Sequence, residues 1–201
     1  MYSPLPRSFF QRSAVDVAPS LLGKMLYIEE NGVQIAGIIS ECEAYQGESD
    51  LACHARAGKT ERTMPMYGEA GHAYVYFTYG MHWMLNVVTD QKEEPAAVLI
   101  RAIIPTLGKK HIAKRRAPQP EKVWTNGPAK VCKALNIDIH YNNQDFCDPS
   151  SPLRICAGIT IPSQEIMQSP RIGINNTPEP WFSMPWRFYL AENSPCLLQI
   201  V

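Results

Sequence analysis

From residue 24 to residue 104, short apolar runs alternate with polar positions at a period of two, the rhythm of half-buried strands rather than of helices. Runs at 24–30 and 33–44 flank Asn31 and Gly32, a pair that accepts positive φ at both positions and therefore predicts a tight hairpin. Runs at 73–77 and 83–88 flank Thr78-Tyr79-Gly80-Met81-His82. A second reversal is expected there, with large side chains at its tip that no core obviously receives. Another strand is expected at 97–104, ended by Pro105, and late strands at 155–161, 171–174 and 186–190.

Helical signals are fewer. Asp16 is expected to cap a short helix with Pro19 in its first turn and Gly23 just past its end. The basic run at 109–116 predicts a second helix, stopped by the proline-rich APQPEK. Residues 127–135 predict a third, with Asn126 or Gly127 as cap and Pro128 near the first turn. Phe9 and Phe10 are placed to anchor the N-terminal segment on the core. Between 46 and 71 the pattern loses its period, apart from a short helix expected around 50–54. A stretch this long and this rich in aromatic, methionine and histidine residues is expected to be an ordered functional loop.

The chain shows no internal repeat and no linker, and 201 residues suffice for one well-filled core, so residues 1–201 are expected to form a single domain. Lysine plus arginine number 19 and aspartate plus glutamate 19, for a net charge of zero. This balance argues against a protein held on nucleic acid by bulk charge, yet leaves room for a local basic face. Lys59, Arg62, the cluster from Lys109 to Arg116, Lys130 and Lys133 could build one. Six cysteines without a CxxC pair or a regular framework fit free buried thiols in a reducing compartment. No apolar run reaches the length of a membrane span, and a soluble intracellular (cytoplasmic) protein is expected.

Some polar residues sit in the apolar runs where a core has no use for them: Glu41, Glu43, Asn86 and Arg101, with His54 in the loop between. Glu43 can be a solvated strand end and Arg101 a structural ion-pair partner. Tyr45, however, shares a strand face with Glu43 two residues away. The residues taken alone therefore offer an acid, an arginine and a set of aromatic rings near a long loop.

The segments ECEAYQGESDLACH, MYGEAGHAYVYFTYGMHWMLN and VLIRAIIP, followed by NGPAKVCKAL and PWRFYL in the same order, resemble the 3-methyladenine (alkyladenine) DNA glycosylase family of the mammalian type. The resemblance runs through nearly the whole chain. Together with the hairpin signals it implies a mixed α/β (α+β) domain, a curved and mainly antiparallel sheet with peripheral helices, similar to the C-terminal domain of methionyl-tRNA formyltransferase. It implies a monofunctional enzyme that flips damaged purines from duplex DNA and hydrolyses the N-glycosidic bond, with no cofactor and no metal.

Residue by residue, the resemblance makes Glu43 the general base and Arg101 a holder of the attacking water, with the backbone carbonyl of Ile172 as a further water ligand and its side chain in the core. Tyr45, His54 and Tyr76 would sandwich the flipped base, and Asn86 would oppose the exocyclic amino group of guanine. Tyr79 would fill the gap in the helix from the minor groove, with Met66, Thr60 and Lys130 as further DNA contacts. The expected partner is double-stranded DNA, and the expected state a monomer. The sequence departs from the family pattern in a shorter loop after His54, a longer and more acidic turn in TDQKEEPAA, and His82 where the mammalian member has tyrosine. Two other readings predict different behaviour: a metal-dependent hydrolase built on His54, His72 and His82, and a nucleic-acid binding module without catalysis. A backbone-cutting enzyme acting through a lysine such as Lys24 is a third.

Overall fold

The computed structural model describes residues 2–191 and 194–199. Four α-helices, α1 (Arg7–Phe10), α2 (Ala14–Leu21), α3 (Lys109–Arg116) and α4 (Pro128–Leu135), surround eight strands. The strands are β1 (Met25–Glu30), β2 (Val33–Gln46), β3 (Ala73–Thr78), β4 (His82–Val88), β5 (Ala96–Leu107), β6 (Leu153–Cys156), β7 (Ile166–Ser169) and β8 (Arg187–Leu190). They form one antiparallel sheet in the order β3-β4-β5-β2-β1-β6, with β8 paired to β2 and β7 to β8. This is the expected mixed α/β architecture, a curved antiparallel sheet with helices at its periphery.

Both predicted hairpins form. Asn31 and Gly32 adopt φ of 51° and 75° and pair Glu30 with Val33. Tyr79 and Gly80 take φ of 52° and 66°, which closes β3 on β4 through Thr78 and His82. β2 is the organising strand. Its first half pairs with β1, its second half with β8, and nearly all of it with β5. Register shifts against β5 at Ala36/Gly37 and on either side of Glu41 bend it, as extra residues in a ladder do.

The period-two pattern divides the sheet into two faces with different contents. Cys42, Ala44, Val75, Leu85, Val87, Val98 and Ile100 belong to the main core, which the apolar sides of α2 and α4 cover. The alternate positions, Glu43, Tyr45, Tyr74, Tyr76, Asn86, Leu99 and Arg101, lie on the other side, where the 47–72 region and the 171–174 turn close over them.

Five expectations are corrected, the first being the strand expected at 155–161, which is β6 at Leu153–Cys156. Ser13, not Asp16, caps α2, its hydroxyl accepting from the Asp16 N–H, and Pro19 lies inside the helix near its end. β5 runs through Pro105 to Leu107, because β4 pairs only with residues 97–99 and no neighbour on that side needs the missing N–H. Residues 171–174 form a turn rather than a strand. The short helix expected near 50–54 is a 3₁₀ turn at His54–Ala57. All six cysteines are free, five of them buried. Among the described residues, no helix is long and apolar enough to cross a membrane.

Candidate active site

Glu43 is fully buried, and every hydrogen bond it makes comes from a residue on the wall of one cavity. The Ile172 N–H donates to its Oε1 at 2.6 Å. The Tyr45 hydroxyl donates to Oε2 at 2.9 Å, and Arg101 Nη1 lies 3.1 Å from the same oxygen. Arg101 Nε bonds Glu41 Oε1 at 2.7 Å, and Arg187 Nε reaches that Glu41 oxygen at 2.6 Å. Two carboxylates and two guanidiniums thus alternate through the sheet. The charges compensate one another, which a buried carboxylate requires.

Burial drives the Glu43 carboxyl above the ordinary carboxylate range, while Arg101, the Ile172 N–H and the Tyr45 hydroxyl pull it part of the way back. Burial works against the charge on Arg101, but Glu43 and Glu41 more than offset it and hold the guanidinium above its usual value. The Tyr45 phenol is pushed well up by burial and by Glu43, so it stays protonated and acts as a donor.

The cavity measures about 190 Å³ and opens to solvent. Four of its wall residues are rings, Tyr45, His54, Tyr74 and Tyr76, with Met66 beside them and Asn86, Leu99 and Arg101 from the central strands. The His54 and Tyr76 rings meet edge to face with centroids 4.5 Å apart. His54 Nδ1 is 3.0 Å from the Tyr74 hydroxyl. Burial, together with the nearby Arg62 and Arg56 cations, lowers the pKa of His54 to about 4, so the imidazole is neutral at working pH. Asn86 is buried, and its amide donates to the Tyr74 carbonyl at 2.9 Å. The faces of these rings are electron-rich and attract a flat cationic ring.

At the cavity mouth the β3–β4 hairpin carries Tyr79, 77% exposed, and Met81, 68% exposed, while Phe77 stands partly exposed behind them. Pro128, at the start of α4, forms another part of the rim. Lys130, one turn into α4, bonds Asn126 at 2.7 Å. Thr60 is exposed, but its hydroxyl is engaged with Thr63.

The structure therefore gathers Glu43, Arg101, Ile172, Tyr45, His54, Tyr76, Asn86 and Tyr79 around one opening. Two placements differ from expectation. Met66, expected among the DNA contacts, is 2% exposed and forms cavity wall; the exposed methionine of that loop is Met64. The Ile172 side chain, expected in the core, is 51% exposed, and what it directs at Glu43 is its backbone N–H.

Sequence reasoning missed Tyr74 and the Asp50–Arg171 pair, and it read Arg62 only as part of a basic face, not as a neighbour of the cavity rings. Tyr74 carried a signal, since it precedes Tyr76 by two in the AYVYF alternation and so shares its face. Arg62, whose guanidinium carbon lies 5.3 Å from the Tyr76 ring centroid, carried none. The acidic 90–94 turn is partly neutralised by a Lys59–Glu93 ion pair at 2.7 Å. His72 lines a separate groove and His82 stands exposed on the hairpin, both apart from His54 in the cavity. Among the described residues, no three His, Cys, Asp or Glu side chains cluster in a way that could hold a metal ion.

A pocket walled in part by aromatic rings, with a buried acid behind it, opens beside an exposed aromatic tip, a layout suited to a flat ligand. Residues 8–194 match the family model described as methylpurine-DNA glycosylase. Relatives assigned as 3-methyladenine DNA glycosylases include one from Myxococcus xanthus, 42% identical over 94% of this chain and 91% of its own length. One from Chlamydia felis is 45% identical over 92% and 95%, and one from Methanocella arvoryzae 43% over 96% and 94%. The chain belongs to the methylpurine-DNA glycosylase family. It is thus a DNA-binding hydrolase of N-glycosidic bonds that acts on damaged purines in base-excision repair.

Proposed function

We propose that this enzyme turns a damaged purine of the 3-methyladenine, 7-methylguanine, hypoxanthine or ethenoadenine class out of duplex DNA. It then hydrolyses the glycosidic bond with a water activated by Glu43 and leaves an abasic site. The observation that carries the reading is the buried Glu43 carboxylate, held from three sides by groups that line a cavity walled in part by rings. As the base departs, the sugar becomes electron-poor, and a fixed carboxylate both stabilises that charge and accepts the proton of the attacking water. Oε1 has one protein donor, so it retains an acceptor site for a water. The Ile172 carbonyl would complete the water's ligands together with Arg101.

Tyr45, His54 and Tyr76 would hold the base once it leaves the stack, and neutral His54 adds no charge against a cationic alkylated ring. Asn86, fixed by its amide bond to the Tyr74 carbonyl, would oppose the exocyclic amino group of guanine and so discriminate against that base. Tyr79 enters the minor groove and fills the vacated stack, which offsets part of the unstacking cost. Lys130 and Thr60 contact the backbone. The working form is a monomer acting without a cofactor.

The test is single-turnover release of each base from defined duplexes, with chelator present and alkali used to reveal abasic sites. Glu43→Gln should lose release by roughly two decades or more while keeping most damaged-DNA binding. Near wild-type release by Glu43→Gln would end the assignment of Glu43 as base. In the same panel Asn86→Ser should raise release of guanine-type bases relative to hypoxanthine, whereas an unchanged profile would place the filter elsewhere.

A further inference from the structure

Behind the cavity lies a second buried ion pair that makes no contact with the proposed water or base. The side chains of Arg171 and Asp50 are both inaccessible to solvent. Arg171 Nη1 donates to Asp50 Oδ2 at 2.5 Å and to the Ala44 carbonyl at 2.9 Å. Its Nη2 donates to Asp50 Oδ1 at 2.9 Å and to the Trp181 carbonyl at 3.3 Å. The guanidinium carbon also lies 4.7 Å from the Tyr45 ring centroid and 5.0 Å from that of Trp186. Asp50 in turn accepts from the N–H groups of Gln46 and Ala52.

One guanidinium therefore ties three segments together: the end of β2 just after Glu43, the 47–53 turn that leads to His54, and the 171–174 turn. The last of these has no strand ladder to hold it. Its Ile172 side chain is half exposed, and a Cβ at Gly173 would meet nothing within 4 Å. Yet the Ile172 N–H sits 2.6 Å from Glu43, and the residue immediately before it is Arg171.

Stability alone is a poor account of this pair. Buried ion pairs are often matched or exceeded by well-packed apolar replacements, and here the Arg171 Nε is buried without a partner. A fork that fixes geometry is a better one.

Resting on the reading of Glu43 as the base, we propose that Arg171, clamped by Asp50, is a positioning residue that holds the Ile172 N–H on the Glu43 carboxylate. The consequence is electrostatic. An N–H bonded to a carboxylate favours its charged form, so losing that bond raises the pH at which Glu43 ionises. Other groups acting on Glu43 are Arg101, Tyr45 and Glu41, with Arg187 bonded to Glu41 in turn; of these Tyr45 also packs on the Arg171 guanidinium, so a protein that loses the Ile172 N–H and keeps both clamp side chains is needed beside the clamp variants.

The experiment is the pH profile of single-turnover base release for wild type, Arg171→Lys and Asp50→Asn. A fourth protein carries an ester in place of the Arg171–Ile172 peptide bond, which replaces the Ile172 N–H by an oxygen and weakens the Arg171 carbonyl as an acceptor but leaves the Arg171 and Asp50 side chains intact. The acid limb should move upward by about one pH unit in each variant. The maximal rate should fall by about 10- to 100-fold, as expected for a misplaced catalytic group, and affinity for lesion DNA should stay within about twofold of wild type. If Arg171→Lys and Asp50→Asn fold but keep the wild-type limb, the positioning role is refuted. If neither folds, the ester decides: a limb unmoved by loss of the N–H overturns the proposal, and a shifted one supports it. Failure of Glu43→Gln to lose activity would instead strike the reading of Glu43, a separate result in a separate protein.

Discussion

Two regions of the same sheet solve opposite problems. At the centre, where β2 meets β5, Glu43 and Arg101 are charged groups taken out of water, and their polar atoms are met by partners on neighbouring elements. Some 40 residues further along the chain, the β3–β4 hairpin does the reverse. It pushes Tyr79 and Met81 into solvent, with Phe77 half exposed beside Trp83. Each region is costly for the free protein; in the function proposed above, the first would meet a water and a sugar and the second a gap in stacked bases. The difference lies in how much of the fold each depends on. The centre draws on β2, β5, β8 and the 171–174 turn, whereas the hairpin tip draws on little beyond its own turn.

That contrast predicts a graded series of effects. The largest is expected at the centre. Arg101→Met leaves Glu43 buried without its cation and should destabilise the protein at neutral pH by about 3–5 kcal/mol. Because the uncompensated carboxyl then favours its protonated form, part of the loss should be recovered on acidification. Denaturant melts at pH 7 and pH 5 check this, and an equal deficit at both would show that the pair is not the source.

A smaller effect belongs to the cavity wall. His54 is held near pKa 4 when folded, below its ordinary 6.5, so its neutral form is the native one. The unfolded chain binds more protons between those values. This contribution is therefore fully present above about pH 6.5 and is lost as the pH falls towards 4. His54→Phe should flatten the stability profile in that window by up to about 3 kcal/mol, in proportion to the shift. The same slope in the variant and the wild type would assign the acid sensitivity to other groups.

The smallest effect on folding is expected at the tip. Tyr79→Ser should change stability by no more than about 0.5 kcal/mol, as for an exposed site, yet reduce the population of flipped base, most at well-paired lesions and least in a mismatch. Stopped-flow fluorescence of a base analogue beside the lesion follows this. Loss of folding in Tyr79→Ser would place the ring in the core, and unchanged flipping would remove its role as a wedge.

Much of this arrangement can be read from local chemistry. Asn31-Gly32 specifies its reversal because both residues accept positive φ, and Gly80 supplies one of the two positive φ values of the second turn, while Tyr79 takes the other against its own preference. The alternation in AYVYF puts Tyr74 with Tyr76, and that in ECEAY puts Glu43 with Tyr45, because side chains on a strand point to opposite sides in turn; that both pairs share one face of the sheet came with the register. Helix α4 was equally legible from Gly127, Pro128 and its apolar stripe.

Other features came only with the tertiary structure, and for a common reason: they depend on contacts between residues far apart in the chain. Pro105 reads as a strand end, yet β5 passes through it because the neighbouring strand stops short. Met66 reads as a surface residue of a polar loop, yet the loop folds back over the sheet and buries it. RIGI reads as a strand. It becomes a turn because Arg171 finds Asp50, 121 positions earlier, and that pairing sets the Ile172 N–H against Glu43. Sequence alone determined which residues can bear charge, stack or turn. The structure decided which of them meet, since a buried charge can exist only where distant segments bring it a partner.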